Sequence, residues 1–392
     1  MQKVILLKFG ELSLKGKNKK FFVNQLKSNL THALKEFNTT IKFYFDFVLI
    51  TDFKANQLLK IKEVVLTIPG FSFLSEALMI NKDLDTLKDI LLKILPSSNF
   101  SFKVITKRSD KNFNLNSDQI NRLLGHFVLN HFLNAKVDVH NPKIKIFLEL
   151  KQDFFLLYFK KESFNNGLPI ESGGKVLMLL SGGIDSSVAS NFLMQRGFHV
   201  DFITFLTPPH TSDQVLEKIK MLINQITKNN LLQNNTKLYI CNFSPILHEL
   251  NHISKENYKI TLLRRSFFRI AKLLAERYHY QAIATGEALG QVASQTIESM
   301  NCINHAINNF LVLRPLTCFD KETIIDRAKK IGTYDISILP YEDSCSIFAP
   351  KNPITRPKID TCLELEKEID LLNELEQNGL NKLIIYDFKD KN

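Results

Sequence analysis

The chain has 392 residues, of which 44% are hydrophobic, and carries 51 Lys+Arg against 40 Asp+Glu for a formal charge of +11. That length exceeds one ordinary core and predicts two or three domains. No run of about eighteen apolar residues offers a membrane span, and Met1–Phe9 lacks the small-residue cleavage site of a signal peptide, so a cytoplasmic protein is expected. The five cysteines (Cys241, Cys302, Cys318, Cys345 and Cys362) form no CxxC pair, which excludes a disulfide framework and a cysteine zinc site.

The charge is unevenly spread. Residues 1–175 hold 27 Lys+Arg against 16 Asp+Glu, residues 176–357 hold 19 against 15, and residues 358–392 hold 5 against 9. An excess confined to the first half suggests a polyanion partner for that half, although an AT-rich genome also yields Lys-, Asn-, Ile- and Phe-rich chains.

In chain order, Val4–Phe9 predicts a strand, Lys15–Lys20 a basic loop and Lys19–Phe37 a helix by its apolar spacing. Ile41–Ile50 is strand-like, Ile68-Pro69-Gly70 marks a turn, and Leu84–Leu95 is an amphipathic helix. Phe100–Thr106 predicts a strand, Asp118–Leu133 a helix capped by Ser117, and Lys143–Leu150 with Phe154–Lys160 a β pair. This half is α+β. After Asn165–Pro169 and Ser172-Gly173-Gly174 the pattern changes to short apolar strands (Val176–Leu180, Val200–Phe205, Lys237–Cys241, Ala282–Thr285) with helices between them, which indicates a parallel α/β sheet. The acidic tail after Pro357 is partly helical over Leu363–Leu375.

The most informative segment runs from Lys175 to Ala189: a buried strand, the turn Ser181-Gly182-Gly183, and a helix beginning near Asp185 and stopping at Gly197. Glycines let the backbone approach a phosphate, and the N–H groups of a new helix point at it. There is neither Gly-Lys-Ser/Thr nor GxGxxG. SGGxDS after such a strand resembles the pyrophosphate-loop ATPases, which cleave ATP between its α- and β-phosphates and adenylate a carbonyl oxygen.

Further segments narrow the resemblance. The run Phe9–Asn18 (FGELSLKGKN), Ile68–Phe71, Phe102-Lys103-Val104 with Lys107-Arg108, and Lys136–Pro142 are similar to the N-terminal part of the tRNA 4-thiouridine synthetases. Gly286-Glu287 with Gly290–Gln295, Arg314-Pro315-Leu316, Asp320-Lys321 and Pro340–Cys345 resemble that family's catalytic domain. The resemblance implies a ferredoxin-like domain over residues 1–60, a THUMP RNA-binding domain over 61–165, a linker at 166–174 and a pyrophosphate-loop ATPase/sulfurtransferase domain over 175–392. It also implies the reaction: ATP and Mg2+ activate C4 of a tRNA uridine, expected at position 8, by adenylation, and persulfide sulfur from a cysteine desulfurase replaces the oxygen. A homodimer is implied as well.

Carried over by position, the ATP contacts are Leu179, Leu180, Ser181, Gly182, Gly183, Asp185, Ser186, Thr204, Phe205, Arg264, Gly286 and Gln295. Asp185 is the candidate Mg2+ ligand. Arg264 has the guanidinium fork that suits phosphate, though on residues alone it also reads as a solvated helix arginine beside Arg265. Lys321 would stabilise the adenylate or leaving group, or be a surface lysine. Lys15, Lys17, Lys107 and Arg108 are the expected tRNA contacts. Cys345, on a polar loop rich in proline, is the expected persulfide carrier, while Cys241 lies in an apolar strand and the other three lack motif support. Glu342 and Asp343 would raise a thiol pKa, so activation of Cys345 requires a basic neighbour.

The chain departs from the family pattern in three places. Ser186-Ser187 stands where Ser-Pro is frequent, and Ser344-Cys345 where short relatives often have two cysteines. A short form without a rhodanese domain is expected, which weighs against a role in thiamine thiazole synthesis. Two other readings stay open: a pyrophosphate-loop enzyme with another acceptor, and a non-catalytic tRNA-binding protein that keeps the fold.

Overall fold

Val4–Phe9 is apolar on both faces except at Lys8, and it forms the inner part of β1 (Gln2–Phe9), which has antiparallel neighbours on both sides. The computed structural model describes residues 1–164, 166–228, 236–341, 348 and 350–388, and divides into two units, Met1–Gly167 and Leu168–Asn392. In the first unit α1 (Lys19–Ala33), β2 (Thr40–Phe43), β3 (Phe47–Thr51), α2 (Leu58–Leu66) and β4 (Phe71–Asn81) follow β1. Then come α3 (Leu84–Ile94), β5 (Phe100–Arg108), α4 (Ser117–His131), β6 (Ala135–Val137), β7 (Ile144–Leu150), β8 (Phe154–Tyr158) and β9 (Glu162–Ser163). One sheet joins them in the order β2-β3-β1-β4-β8-β7-β5-β6, with β9 on β4.

Three local expectations change here. Ile41–Ile50 is two strands, β2 and β3, because the Tyr44 N–H donates to Phe47 O at 2.9 Å and closes a turn that its aromatic residues conceal. The cap of α4 is Asn116, not Ser117: Asn116 and Gln119 each accept from the other's backbone N–H, at 2.9 and 2.8 Å. Both α2 and β4 escaped the sequence reading, and a cut after residue 60 falls inside α2.

In the second unit β10 (Lys175–Leu179), α5 (Ile184–Gln195), β11 (His199–Leu206), α6 (Asp213–Lys228), β12 (Thr236–Asn242), α7 (Ser244–Leu250), α8 (Lys259–Arg277) and β13 (Ala282–Ala284) come first. They are followed by α9 (Ile297–His305), β14 (Val312–Leu313), α10 (Lys321–Lys330), α11 (Tyr334–Ser337), α12 (Ile359–Glu366), α13 (Leu372–Asn381) and β15 (Ile384–Phe388). The sheet order is β14-β13-β10-β11-β12-β15; the first five strands are parallel, and the acidic tail supplies β15 as an antiparallel edge.

Side chains alternate through this sheet. Val176 and Met178 face a core shared with α5, α6 and α10, while Leu177 faces one shared with α7, α8 and α9. Strand order runs outward from β10 through β11 and β12, then reverses to β13. In open α/β sheets such a reversal opens a crevice beyond the strands' carboxyl ends. Among the described residues no helix is long and apolar enough to cross a membrane.

At the opposite edge of this sheet the segment expected as a linker is held to the second unit. The Leu168 N–H donates to Gln195 O, the Gly173 N–H to Gly197 O, and Glu171 lies 3.4 Å from His199 Nδ1. His199 Nε2 meets Asp201 Oδ2 at 3.3 Å. Burial alone would lower the imidazolium pKa, but the hydrogen bonds it donates to Asp201 and Glu171 raise it to about 9. The ordinary histidine value is about 6.5, so this stabilisation is complete below that pH and is lost as pH rises through the folded value. We expect His199→Gln to be less stable than the parent in urea near about pH 6.5, with the difference shrinking above about pH 9. A difference in unfolding midpoint that does not change with pH would reject this account.

Candidate active site

The loop after β10 is braced from within. The Leu180 N–H continues the ladder to Ile203 O, and the Ser186 hydroxyl donates to Ser181 O at 3.0 Å while lying 3.3 Å from the Ser181 N–H. Gly183 is the extended N-cap residue of α5, and no side chain caps that helix start, so its positive end faces the crevice.

A cavity of about 220 Å³ lies at this edge. Of the expected nucleotide contacts, Leu179, Leu180, Ser181, Asp185, Ser186, Thr204, Phe205, Arg264, Gly286 and Gln295 all line it. Gly182 and Gly183 shape the loop without lining the cavity. Residues 100 positions apart in sequence thus converge. The sequence reading missed Phe267, Thr285 and Glu287 among the lining residues. Phe267 carries a helical-spacing signal three residues after Arg264, and Glu287 sits in a motif already noted. Phe267 stacks on Phe205 with ring centroids 4.0 Å apart, giving the cavity an apolar wall.

The guanidinium of Arg264 does not present a free fork. Its Nη2 is paired with Glu287 Oε1 at 2.5 Å and its Nη1 with Ser294 Oγ at 3.3 Å, while its buried Nε has no partner among the described residues. Its neighbour Arg265 is fully buried and grips both oxygens of Glu366. Burial would raise the Glu287 carboxyl, but Arg264 and Arg314 hold it below its usual range, so it is ionised.

Lys321 opens α10 and places Nζ 2.6 Å from Asp185 Oδ1, so it joins the loop at the cavity rim. Magnesium commonly uses one or two carboxylates together with substrate phosphates. Asp185 fits that requirement, with one oxygen on Lys321 and the other available, whereas Glu287 is committed to two arginines and Thr285. Among the described residues no group of three or more His, Cys, Asp or Glu could hold a metal by itself.

Cys345 lies outside the described residues. The flanking Tyr341 and Phe348 are both in the second unit's packing: Tyr341 O accepts from Lys218 Nζ at 3.4 Å, and Phe348 meets the His210 ring at 5.1 Å. His210 follows β11, whose end lines the cavity. Cys241, Cys302 and Cys362 are buried and Cys318 is exposed. Burial pushes the Cys241 and Cys362 thiols up to about 12, leaving them neutral.

In the first unit Lys17 and Lys107 are exposed, and Lys15 Nζ lies 4.7 Å from the Phe22 ring centroid. Arg108 instead donates through Nη1 to the carbonyls of Phe113 and Leu115, at 3.0 Å each, and holds its own loop.

Gly286 is where β13 meets the phosphate loop. A Cβ added there would stand 2.6 Å from Ser186 N and 2.7 Å from Ser186 Cα, both backbone atoms that cannot yield cheaply. We expect Gly286→Ala to weaken ATP binding by more than about tenfold, measured by calorimetry. Unchanged affinity would show that the loop tolerates displacement.

Three domain families match the chain: the thiamine biosynthesis protein (ThiI) family over residues 171–371, the THUMP domain over 81–160 and the ThiI ferredoxin-like domain over 4–75. A probable tRNA sulfurtransferase of Ureaplasma urealyticum is 44% identical over 379 residues, covering 96% of each chain. One of Mycoplasma genitalium is 40% identical over 382 residues, covering 97% of each. Among solved structures, a 4-thiouridine synthetase in complex with RNA and with bound ATP is 33% identical with a TM-score of 0.86, covering 98% of this chain and 99% of its own. Full-length identity of this order, joined to a pyrophosphate loop at a strand-order reversal, establishes that the chain belongs to the tRNA sulfurtransferase (ThiI) family of enzymes.

Proposed function

We propose that this enzyme uses ATP to move persulfide sulfur onto C4 of a tRNA uridine, at position 8, producing 4-thiouridine. The observation that carries the reading is the cavity in which the serine-glycine loop, the Asp185–Lys321 pair and Arg264 surround one small volume. The apolar wall of Phe205 and Phe267 suits the adenine base, and the open start of α5 suits the phosphates. Asp185 would hold Mg2+ against the phosphates. Lys321, beside Asp185 at the cavity rim, neutralises the departing pyrophosphate or the adenylate. Attack by the uridine O4 on the α-phosphorus turns a poor leaving oxygen into AMP.

Sulfur delivery is a separate half-reaction. A cysteine desulfurase loads Cys345 as a persulfide, and its terminal sulfur attacks C4 as the C4–O bond to AMP breaks, leaving Cys345 joined to the new C4 sulfur by an S–S bond; a thiol reductant, external or on the donor protein, supplies two electrons to cleave that bond and release 4-thiouridine and the Cys345 thiol. Lys15, Lys17 and Lys107 bind tRNA phosphates, with Arg108 contributing by shaping its loop. We further propose a cytoplasmic homodimer in which the ferredoxin-like residues 4–75, with Lys15 and Lys17, and the THUMP residues 81–160, with Lys107, together bind the RNA.

Two experiments test this. Asp185→Ala should abolish thiolation with tRNA affinity nearly intact, whereas Cys345→Ser should still adenylate tRNA yet yield no 4-thiouridine with desulfurase as donor. Inorganic sulfide should rescue only the second variant. Normal thiolation by Cys345→Ser would reject the persulfide route, and single changes at Cys241, Cys302, Cys318 or Cys362 should retain most activity. Separately, Lys15→Ala, Lys17→Ala and Lys107→Ala should each weaken tRNA binding and lower the slope of log affinity on log salt by about 1. A slope unchanged in all three would move the RNA surface elsewhere.

A further inference from the structure

We infer that Glu287 is a positioning residue for the nucleotide, acting through Arg264; this rests on the ATP reading above. Glu287 is 2% exposed and both of its oxygens are engaged. Oε1 accepts from Arg264 Nη2, while Oε2 accepts from Arg314 Nε at 2.6 Å and from the Thr285 hydroxyl at 2.9 Å. Arg314 is fixed in turn by Asn304, whose Oδ1 accepts from Nη2 at 2.7 Å. The carboxylate therefore cannot rotate without breaking contacts to two other elements. Its direction is set by β13, β14 and α9, and it sets the direction of Arg264 on α8.

Two consequences follow for the cavity. Two guanidiniums and one carboxylate sum to a single positive charge, so the group attracts an anion. The plane of the Arg264 guanidinium is also fixed, since Nη2 and Nη1 each give one N–H, to Glu287 and Ser294, and each keeps a second. Gln295, whose buried Oε1 has no partner among the described residues, lines the same cavity. A guanidinium so fixed at the cavity wall presents its remaining N–H groups in a set direction to an anionic ligand. Glu287, with both oxygens engaged, acts by holding that guanidinium in place, and misplacement of such a group is costly to binding and reaction.

The test is a double-mutant cycle on the full chain, with ATP affinity read by calorimetry and adenylation by release of pyrophosphate in the presence of tRNA. Arg264→Met should weaken ATP binding by about tenfold or more, and Glu287→Gln, which loses one arginine partner, by a similar factor. If Glu287 acts through Arg264, the double variant should be within about twofold of Arg264→Met alone. Additive losses would overturn the inference and leave Glu287 a purely structural group. An Arg264→Met variant that binds ATP normally would instead overturn the nucleotide role of Arg264 itself. Should Glu287→Gln not fold, Glu287→Asp keeps the charge and retracts the carboxylate, and the same non-additivity is required of it.

Discussion

Between β10 and β13 the backbone at Gly286 rests against the first turn of α5, so close that a single added carbon would meet Ser186 N at 2.6 Å. The approach brings the end of β13 to the phosphate loop, and with it Thr285 and Glu287, which follow directly. It also defines the crevice, because β10 and β13 are the strands at which chain order reverses. A wider spacing would draw Glu287 away from the loop, and Arg264 with it. The cavity edge of the second unit is thus organised around one backbone contact that only glycine permits.

Helix α8 is the other fixed point, and the acidic tail is what secures it. Arg264 and Phe267 face the cavity, while Arg265 and Arg269 face α12 and α13 and pair with Glu366 and Glu376. Buried ion pairs contribute little net stability over an apolar core of the same shape, but removing one partner strands the other charge. Their value here is directional: two guanidiniums clamped by two carboxylates stop α8 from turning about its axis. A tail that composition presents as a solvated acidic segment is therefore partly interior, and it ends as the sheet edge β15.

In the first unit some of the positive excess is likewise structural. Lys8 and Lys151 are buried around Glu149, at 2.7 and 2.9 Å, with Phe47 beneath both ammonium groups. Burial opposes both charges; Glu149 and Asp46 hold Lys8 above its ordinary range, while Lys151 is pushed below. Arg108 is spent on its loop carbonyls. The exposed lysines, such as Lys17 and Lys107, are the charges available to a polyanion, fewer than a count over the sequence suggests.

Local chemistry made much of this protein legible. A wholly apolar strand, a serine-glycine turn and a helix start are contiguous, so the phosphate loop, its helix and the parallel α/β class followed from residues close in sequence. That ten residues from Leu179 to Gln295 line one cavity was legible because the motifs around them resemble a family's. Pairings between distant residues were not legible. Nothing in the run from Gly286 to Arg314 states that Glu287 lies between two arginines, that Arg265 and not Arg264 is the interior one, or that the tail returns to the sheet. Adjacent arginines are chemically identical in sequence; which one meets the cavity depends on the rotation of α8, and that rotation is settled by packing and ion pairs made by segments about a hundred residues away.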